Sequence, residues 1–449
     1  MSEYGEKLRQ EPNKRRSISA QSGISKKERG KLPTVARSYV FANNKGGVGK
    51  STILFNLASE YARRNPNVNV LVVDLSLYAD TSTLLMGGTQ KEDGMQRGRL
   101  RIQRLPKSRK AASLLKDLLK FAEECRLHKS WWPNRQWFRR QIFDFARHAH
   151  PLKDHSTDRE HVPPNLFLCA GSPELREVLS PENWGDACYA LRRSMEAELY
   201  DPELSNVYGP GIPEFVPGTE GNTSPLRQWV LFFDTDHEIH TPHAKLALGC
   251  AERLIIPMTI DENDFDRLFV HEIALFPILS DLYEQGVLRA RVDMLIFNRV
   301  QKYSVSPFDD NHVPVRLAFT PTKSDLNQMK KLCQDLHVRY LAGMHQLFLD
   351  ADSVGSSFQR FMRRFVSAFA YANPVYINQS KKKGIPLTQM PEPNTQGKTY
   401  DQLSVNVESI IDDLESHVSG YIDPSMMSSV DPSMSRASSR HPKFGFVDK

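Results

Sequence analysis

The sequence predicts an α/β protein whose doubly wound, mainly parallel sheet is flanked by helices. Three observations support this fold class. Short apolar runs alternate with stretches of helical periodicity, as expected when parallel strands are joined by helices. The runs at 68–74 and 229–234 are apolar along nearly their whole length, as buried parallel strands are. A glycine-rich turn separates the first apolar run from the first helical one.

The strands are expected where apolar runs occur. We predict them at 38–43, at 68–74, in the run that begins at 165, and at 229–234, 253–258 and 291–298. Helices are expected where apolar residues recur at a spacing of three or four. We predict them at 49–64, 181–200, 241–251, 264–285, 323–341, 355–371 and 400–417. Parallel strands connected in this way bring their carboxyl ends to one edge of the sheet.

Composition excludes several classes of protein. The chain has 449 residues, 40% of them hydrophobic and 25% charged, enough for one large domain with additions or for two domains. No apolar run approaches the roughly 20 residues of a membrane span, and no signal peptide is recognisable. The five cysteines lie far apart without a C-x-x-C pair, which favours a reducing compartment and argues against a zinc or iron–sulfur site. We therefore expect a cytoplasmic protein with no membrane partner.

The basic residues are concentrated in two segments. Residues 91–150 carry sixteen Lys/Arg against six Asp/Glu, and residues 1–37 carry ten against four. The whole chain has a net charge of only +6, so the remainder is net acidic. Such a distribution is compatible with an acidic partner but does not establish one.

One run carries the most information about function: Lys45-Gly46-Gly47-Val48-Gly49-Lys50-Ser51-Thr52. It lies between an apolar strand and a helix, which is the context of a phosphate-binding loop. Glycines let backbone N–H groups crowd a polyphosphate where a Cβ atom would clash. In that arrangement Lys50 bonds the β- and γ-phosphates and the Ser51 hydroxyl holds Mg²⁺. The alternative is a glycine-rich strand-to-helix turn with an incidental lysine.

Two departures from the common G-x-x-x-x-G-K-[ST] pattern are informative. Asn44 stands in place of the first glycine, and Asn tolerates left-handed backbone better than other non-glycine residues. A second lysine, Lys45, opens the loop. The run therefore resembles the deviant Walker A motif of the ParA/MinD family of P-loop ATPases. The resemblance implies ATP and Mg²⁺ as cofactors, and a nucleotide-sandwich homodimer in which Lys45 touches the partner's ATP.

The resemblance extends to three further positions of the nucleotide site. Asp234 ends an apolar strand as a Walker B carboxylate does, aimed at Mg²⁺ or its water. Asn298 and Arg299 end a later strand at the position where the family holds adenine, and an amide suits that base because it offers one donor and one acceptor. The alternative role for Asn298 is a turn cap. Pro386, in Gly384-Ile385-Pro386-Leu387, resembles the family segment that flanks the purine.

The end of the strand at 68–74 departs from the family. The family commonly has Asp-x-Asp here, and the second aspartate orients or activates the attacking water. Asp74 fits the first position, but Ser76 occupies the second, and serine is not a base at neutral pH. Either Asp236 or Glu238 replaces the missing carboxylate, or hydrolysis is slow or absent; we expect slow hydrolysis. The catalytic residues implied are Lys45, Lys50 and Asp74.

Residues 88–164 are expected to form a basic, tryptophan-containing helical insertion, because the resembled family has only a short segment there. One helical stripe consists of Leu114, Leu118, Phe121, Ala122 and Cys125. A second consists of Trp137, Phe138, Ile142 and Phe145. We expect 37–418 to be the ATPase domain, and the polar segments 1–36 (basic) and 419–449 (rich in Ser and Pro) to be disordered.

Members of the family that position DNA or cargo bind DNA without sequence preference, through phosphate contacts. Two surfaces carry basic residues suited to this. One is the insertion, and the other consists of Arg360, Arg363, Arg364 and Lys381–Lys383. The alternative for both is a solvated helical face, and the sequence does not choose between them.

The sequence thus favours an ATP-driven homodimer that partitions or positions DNA or a large cargo. A ParB-like or other partner protein would stimulate its hydrolysis, and DNA binding would associate it with the nucleoid. The alternative is a nucleotide-gated scaffold that binds ATP without hydrolysing it. The serine at position 76 favours that alternative.

Overall fold

The computed structural model describes residues 35–131, 143–153, 159–195, 228–301, 319, 321–371 and 374–390, and positions 407, 409–412, 414 and 415 of a further helix. The strands in these parts of the chain are β1 (Val35–Phe41), β2 (Asn69–Asp74), β3 (Lys91–Glu92), β4 (Met95–Gln96), β5 (His150–Pro151), β6 (Leu166–Cys169), β7 (Trp229–Asp234), β8 (Arg253–Thr259), β9 (Arg291–Val300) and β10 (Val366–Ala370).

The α-helices of the same ranges connect these strands. They are α1 (Lys50–Arg64), α2 (Asp80–Leu85), α3 (Arg97–Arg104), α4 (Ala111–Trp131), α5 (Trp184–Met195), α6 (Pro242–Cys250), α7 (Glu262–Asp266), α8 (Leu275–Glu284), α9 (Lys323–Arg339), α10 (Ala351–Val354), α11 (Phe358–Phe365) and α12 (Pro374–Lys383). None of the described helices is both long enough and apolar enough to cross a membrane.

Eight strands form the central sheet in the order β10-β9-β8-β1-β7-β2-β6-β5. Every neighbouring pair is parallel except β5 with β6. The predicted fold class, a doubly wound and mainly parallel sheet, is therefore confirmed. Strand β1 lies between β8 and β7, and later parts of the chain add strands on both sides of it. It therefore lies at a topological switch point, which is where ligands bind in such sheets.

Alternating side chains of the central strands pack against two separate cores. In β7, Phe232 faces one core and stacks on Tyr39 of β1, with 4.9 Å between ring centroids. Phe233 and Val40 face the opposite core. Helix α1 and positions 407–415 cover the first face, and α4, α5, α6, α8, α9 and α11 cover the second. Apolar residues on both faces explain why these strands read as unbroken apolar runs.

One predicted helix is wrong in extent. The helical pattern at 355–371 ends at Phe365, and Val366–Ala370 forms strand β10, parallel to β9 and buried throughout. A short run buried on both sides has no alternation, so periodicity does not separate it from a helix. The pattern at 264–285 is two helices, α7 and α8. Asp261 caps α7 by accepting a hydrogen bond from the backbone N–H of Asn263 (2.8 Å).

Where it is described, at 88–131, 143–153 and 159–164, the segment 88–164 contains a small hairpin (β3–β4), two α-helices and the edge strand β5. Helix α4 is part of the main core: Leu114 and Leu118 are buried, and Phe121 and Ala122 pack against them from the partly buried edge. Phe145 is also buried and meets Trp229 edge-on at 5.8 Å. The other members of the second predicted stripe, and the segments 1–34 and 416–449, lie outside the described residues.

Candidate nucleotide-binding site

The glycine-rich loop, residues 43–49, joins β1 to α1. Gly47 and Gly49 have φ values of 80° and 98°, in the left-handed region that favours glycine. A Cβ atom on Gly49 would also lie 2.3 Å from Nδ2 of Asn298. Asn44 keeps a negative φ, so it is not accommodated as a left-handed residue; its side chain instead donates to the carbonyl of Arg267 (2.6 Å).

Lys50 begins α1 with its side chain folded back under the loop. Its ammonium donates to the carbonyls of Asn43 (3.0 Å) and Lys45 (3.1 Å). Burial lowers the pKa of Lys50, and the charge of Asp234 opposes that effect most strongly. A partly desolvated ammonium with only carbonyl partners is suited to exchange them for phosphate oxygens, which would make charge-assisted hydrogen bonds.

Asp234 and Asp74 lie side by side at the ends of β7 and β2, paired in register. Both are fully buried, and burial raises the pKa of each. Asp234 accepts from the Thr81 hydroxyl at 2.5 Å through Oδ2, whereas its Oδ1 has no partner among the described residues. The Ser51 hydroxyl also lowers the pKa of Asp234, which places it near the carboxylate.

An orphaned buried carboxylate oxygen next to a hydroxyl fits Mg²⁺, a hard cation that prefers oxygen ligands. Ser51 and Asp234 are the residues that would hold it. Bound there, Mg²⁺ would neutralise charge on the phosphates of a nucleotide. That these two residues hold Mg²⁺ stays a prediction.

Asp74 organises the turn that follows β2. Its Oδ2 accepts from the backbone N–H (2.9 Å) and hydroxyl (2.6 Å) of Ser82, and its Oδ1 accepts from the backbone N–H of Ser76 (2.9 Å). The Ser82 hydroxyl in turn accepts from the N–H of Gly171 (2.9 Å). Because both oxygens are engaged, Asp74 holds residues 76–82 in place beside the loop.

Asn298 contacts the glycine-rich loop directly. Its Nδ2 donates to the carbonyl of Val48 (2.8 Å), and its Oδ1 accepts from the backbone N–H of Arg299 (2.9 Å). Arg299 has a φ of 63° and reaches back to the carbonyl of Gly47 (3.4 Å). The Asn298 amide thus caps the end of β9. One of its N–H groups and one lone pair of its oxygen remain available to pair with the edge of a base.

Lys45 does not point into the loop. Its ammonium forms an ion pair with Asp264 of α7, whose other oxygen accepts from the hydroxyl of Thr259. The Asp264 side chain is fully buried, whereas 30% of the Lys45 side chain is exposed. The second lysine of the motif is therefore held by its own chain in this structure.

A cleft of about 690 Å³ opens on the outer side of the loop. It is lined by Lys45, Gly46, Gly47, Val48, Thr259, Ile260, Asp261, Asn298, Arg299, Gln301, Ser324, Asp325 and Gln328. Lys50, Ser51 and Thr52 lie at the start of α1, behind it. Pro386 is elsewhere, against Phe55 and Ser59 of α1, and the next residue, Leu387, donates its N–H to Asn56 (2.7 Å).

Two contacts of the site were not anticipated from sequence. Thr81 lies seven residues beyond β2 and has no motif of its own, yet it bonds Asp234. Asp264 is more than 200 residues from Lys45 along the chain. No local signal in the sequence marks either one, since both depend on how distant segments pack.

Comparison with known families identifies the domain. Residues 39–364 match the family described as the CobQ/CobB/MinD/ParA nucleotide-binding domain. The chain belongs to this family. The match includes the glycine-rich loop, both strand-end aspartates and Asn298, so the resemblance inferred from the motif is confirmed. A comparison with curated proteins yields no match.

Solved structures of similar proteins share little sequence with this chain. The McdA–ATP complex of Cyanothece is 13% identical, with 86% of this chain and 97% of that chain covered and a TM-score of 0.45. A plasmid partition protein of Borrelia burgdorferi bound to AMPPNP is 14% identical (86% and 100% covered, TM-score 0.42). The ParA protein of pNOB8 is 13% identical (85% and 99% covered, TM-score 0.46). Membership of the family rests on the family match.

Proposed function

We propose that this protein is an ATP-binding P-loop ATPase that forms a nucleotide-sandwich homodimer and partitions or positions DNA or a large cargo. Mg²⁺ would accompany the nucleotide, and a ParB-like or other partner protein would stimulate slow hydrolysis. The observation that carries the proposal is the loop itself. Its left-handed glycine turn lies between the outer lysine, Lys45, and the buried ammonium of Lys50. Beside it is the oxygen of Asp234 that has no partner among the described residues.

The chemistry assigns a separate task to each group. Backbone N–H groups of the loop and the Lys50 ammonium would stabilise charge on the phosphates as the bond to the leaving ADP breaks. Asp74 would keep the turn at 76–82 against the site, since its oxygens hold that turn. Lys45 would leave Asp264 to reach the partner's nucleotide, so that dimerisation and nucleotide binding are linked.

Single-turnover hydrolysis tests the enzymatic part of the proposal. The purified protein is loaded with ATP and Mg²⁺, and the bound nucleotide is followed over hours without any partner. We expect slow conversion to ADP that is absent from a Lys50→Ala preparation made in parallel. The parallel preparation excludes a contaminating ATPase, because a contaminant would survive the substitution.

A second candidate function is a nucleotide-gated scaffold that binds ATP without hydrolysing it. It is favoured by Ser76, which cannot serve as a base, and by the fact that its hydroxyl is already engaged with the backbone N–H of Ala79 (3.1 Å). ATP that stays bound and unchanged for hours would support this scaffold and contradict the ATPase.

The structure bears on where a polyanion would bind. Backbone hydrogen bonds from Thr89 and Gln90 to the carbonyls of Lys381 and Lys382 (2.9 Å each) join the α2–α3 connection to the end of α12. We call the combined face the joint basic surface; it consists of Arg97, Arg99, Arg101, Arg104 and Lys381–Lys383. The two basic segments that the sequence left as alternatives thus contribute to one face.

The other predicted cations lie on α11, on a separate part of the structure. Arg364 is committed to the buried Asp293 (2.9 Å) and to Asp350 (3.2 Å). Arg360 and Arg363 are exposed on α11, away from that pair. We therefore propose the joint basic surface as the DNA-binding face, with phosphate contacts that carry no sequence preference.

Charge reversal on this surface is expected to abolish DNA binding. The double substitution Arg99→Glu and Arg104→Glu removes two cations and adds two anions, so the affinity for duplex DNA falls steeply. The slope of log affinity against log salt falls by about two, roughly one for each lost phosphate contact. Fluorescence anisotropy at several salt concentrations, with ATP and Mg²⁺, measures both quantities.

The matched control reverses the same number of charges on α11, at Arg360 and Arg363. We expect it to retain the salt slope of the unmodified protein and most of its affinity. If the α11 variant loses DNA and the α3 variant keeps it, the joint basic surface is not the DNA-binding face. If both retain full affinity, neither helix contributes.

A further inference from the structure

The turn after β2 folds the chain back onto Ser76 just before Asp80. The backbone N–H of Ala79 lies 3.3 Å from the carbonyl and 3.1 Å from the hydroxyl of Ser76. Ala79 has a φ of 53°, a left-handed conformation that is costly for a residue with a Cβ atom. The chain therefore folds back sharply, and the residue after Ala79 lies beside Ser76.

The residues that follow Asp80 are fastened to the nucleotide site. The Thr81 hydroxyl donates to Asp234 and lies 3.5 Å from the carbonyl of Ser51. Ser82 donates twice to Asp74. These contacts fix Asp80 at the start of α2, next to the carboxylate and the hydroxyl that would hold Mg²⁺.

Asp80 differs from Asp74, Asp236 and Asp264 in having no side-chain partner among the described residues. Asp74 and Asp264 use both of their oxygens in contacts within the chain. Asp236 is engaged with the backbone N–H (2.7 Å) and ring (2.5 Å) of His237. Asp80 is exposed and makes no hydrogen bond or ion pair with any residue that the structure describes.

The charges around Asp80 are those of a phosphate-handling site. The Lys50 ammonium is within the electrostatic reach of Asp80, as of Asp234 and Asp236. Partial burial raises the pKa of Asp80, and the positive charge of Arg99 opposes that effect most strongly. The charges acting on it are those of Arg99, Asp236, Lys381 and Lys50. A carboxylate without a partner among the described residues, held at the start of α2 beside the residues that bond Asp234 and Asp74, is placed to hold a water molecule near the γ-phosphate.

We propose that Asp80 positions and activates the attacking water, in place of the carboxylate missing at position 76. This proposal rests on the ATPase function proposed above. The water oxygen bonds to the γ-phosphorus while the bond from that phosphorus to the β–γ bridging oxygen breaks. The electron pair of the broken bond leaves with ADP, and a water proton passes to Asp80 and from there to solvent. Asp236, tied to His237, has a secondary part at most.

The test compares Asp80→Asn with Asp236→Asn, which removes the other candidate carboxylate at the same site. Single-turnover hydrolysis is measured with Mg²⁺, and the affinity for a fluorescent ATP analogue is measured separately. We expect Asp80→Asn to slow hydrolysis by about a hundredfold and to leave the affinity within about twofold. Asp236→Asn is expected to change neither quantity by more than a few-fold. In an Asp80→Asn background, Ser76→Asp is expected to restore most of the rate.

Each outcome decides a separate point. ADP formation at the unmodified rate in Asp80→Asn overturns the role of Asp80 and leaves the ATPase function standing. Lost analogue affinity in that variant makes Asp80 a binding residue rather than a water-positioning one. A failure of Ser76→Asp to rescue the rate overturns the claim that Asp80 stands in for the missing carboxylate. If the unmodified protein forms no ADP, the ATPase function fails and Asp80 loses its role with it.

Discussion

Lys50→Ala is expected to abolish ATP binding. The Lys50 ammonium lies under the glycine-rich loop, where its carbonyl partners can be exchanged for phosphate oxygens. Charge-assisted hydrogen bonds of this kind contribute about 1.5–3 kcal/mol each. Loss of one or two of them weakens affinity by about a hundredfold or more. Titration with a fluorescent ATP analogue in the presence of Mg²⁺ measures the loss.

The folded state should survive this substitution. Burial already lowers the pKa of Lys50, so removing the ammonium relieves a desolvation cost in the ligand-free protein. A thermal melt without nucleotide is therefore expected to be unchanged or slightly higher. Lys45→Ala is the matched control, since it removes the other lysine of the loop and should leave the affinity of the monomer for ATP intact. Equal losses in both variants would contradict the assignment of Lys50 to the phosphates.

Lys45→Ala is expected instead to abolish dimerisation in the presence of ATP. In the proposed dimer two copies of Lys45 contact two nucleotides, each through charge-assisted hydrogen bonds. Losing both contacts weakens the dimer by a hundredfold or more, by the same reasoning as above. Sedimentation velocity with a non-hydrolysable ATP analogue and Mg²⁺ gives the monomer–dimer constant directly.

Asp264→Asn is expected to have the opposite effect. In the single chain Lys45 is paired with Asp264, so this ion pair must break twice for each dimer formed. A pair whose lysine is partly exposed contributes on the order of 1 kcal/mol. Removing the carboxylate charge should therefore tighten the dimer by roughly thirtyfold. Asparagine keeps the size of the buried side chain and can still accept from Thr259.

The two substitutions together separate the possible explanations. If Asp264→Asn tightens the dimer only when Lys45 is present, the ion pair restrains Lys45 in the monomer. An unchanged dimer constant in Asp264→Asn would show that Lys45 can serve the partner without leaving Asp264. A melt of Asp264→Asn checks that the buried position tolerates the change.

The sequence was sufficient for features encoded over short stretches. Apolar runs such as 229–234 determine strands because both faces of the sheet are buried. The run from Lys45 to Thr52 determines a strand–turn–helix geometry because its glycines adopt left-handed backbone. Once the strands are parallel and adjacent, Asp74 and Asp234 must meet at one edge. These parts of the site follow from residues within a few positions of each other.

Contacts between distant segments were decided only by the tertiary structure. The sequence left two basic segments as alternatives, and hydrogen bonds from the α2–α3 connection to the end of α12 bring them together. It offered Asp236 or Glu238 as a replacement for the missing carboxylate, or slow hydrolysis; the tight turn at Ala79, which led to the proposal for Asp80, is visible only in the structure. The segment 366–370 forms a strand because it pairs in parallel with β9. Local patterns determine backbone conformation, but which side chains meet depends on packing that no local pattern records.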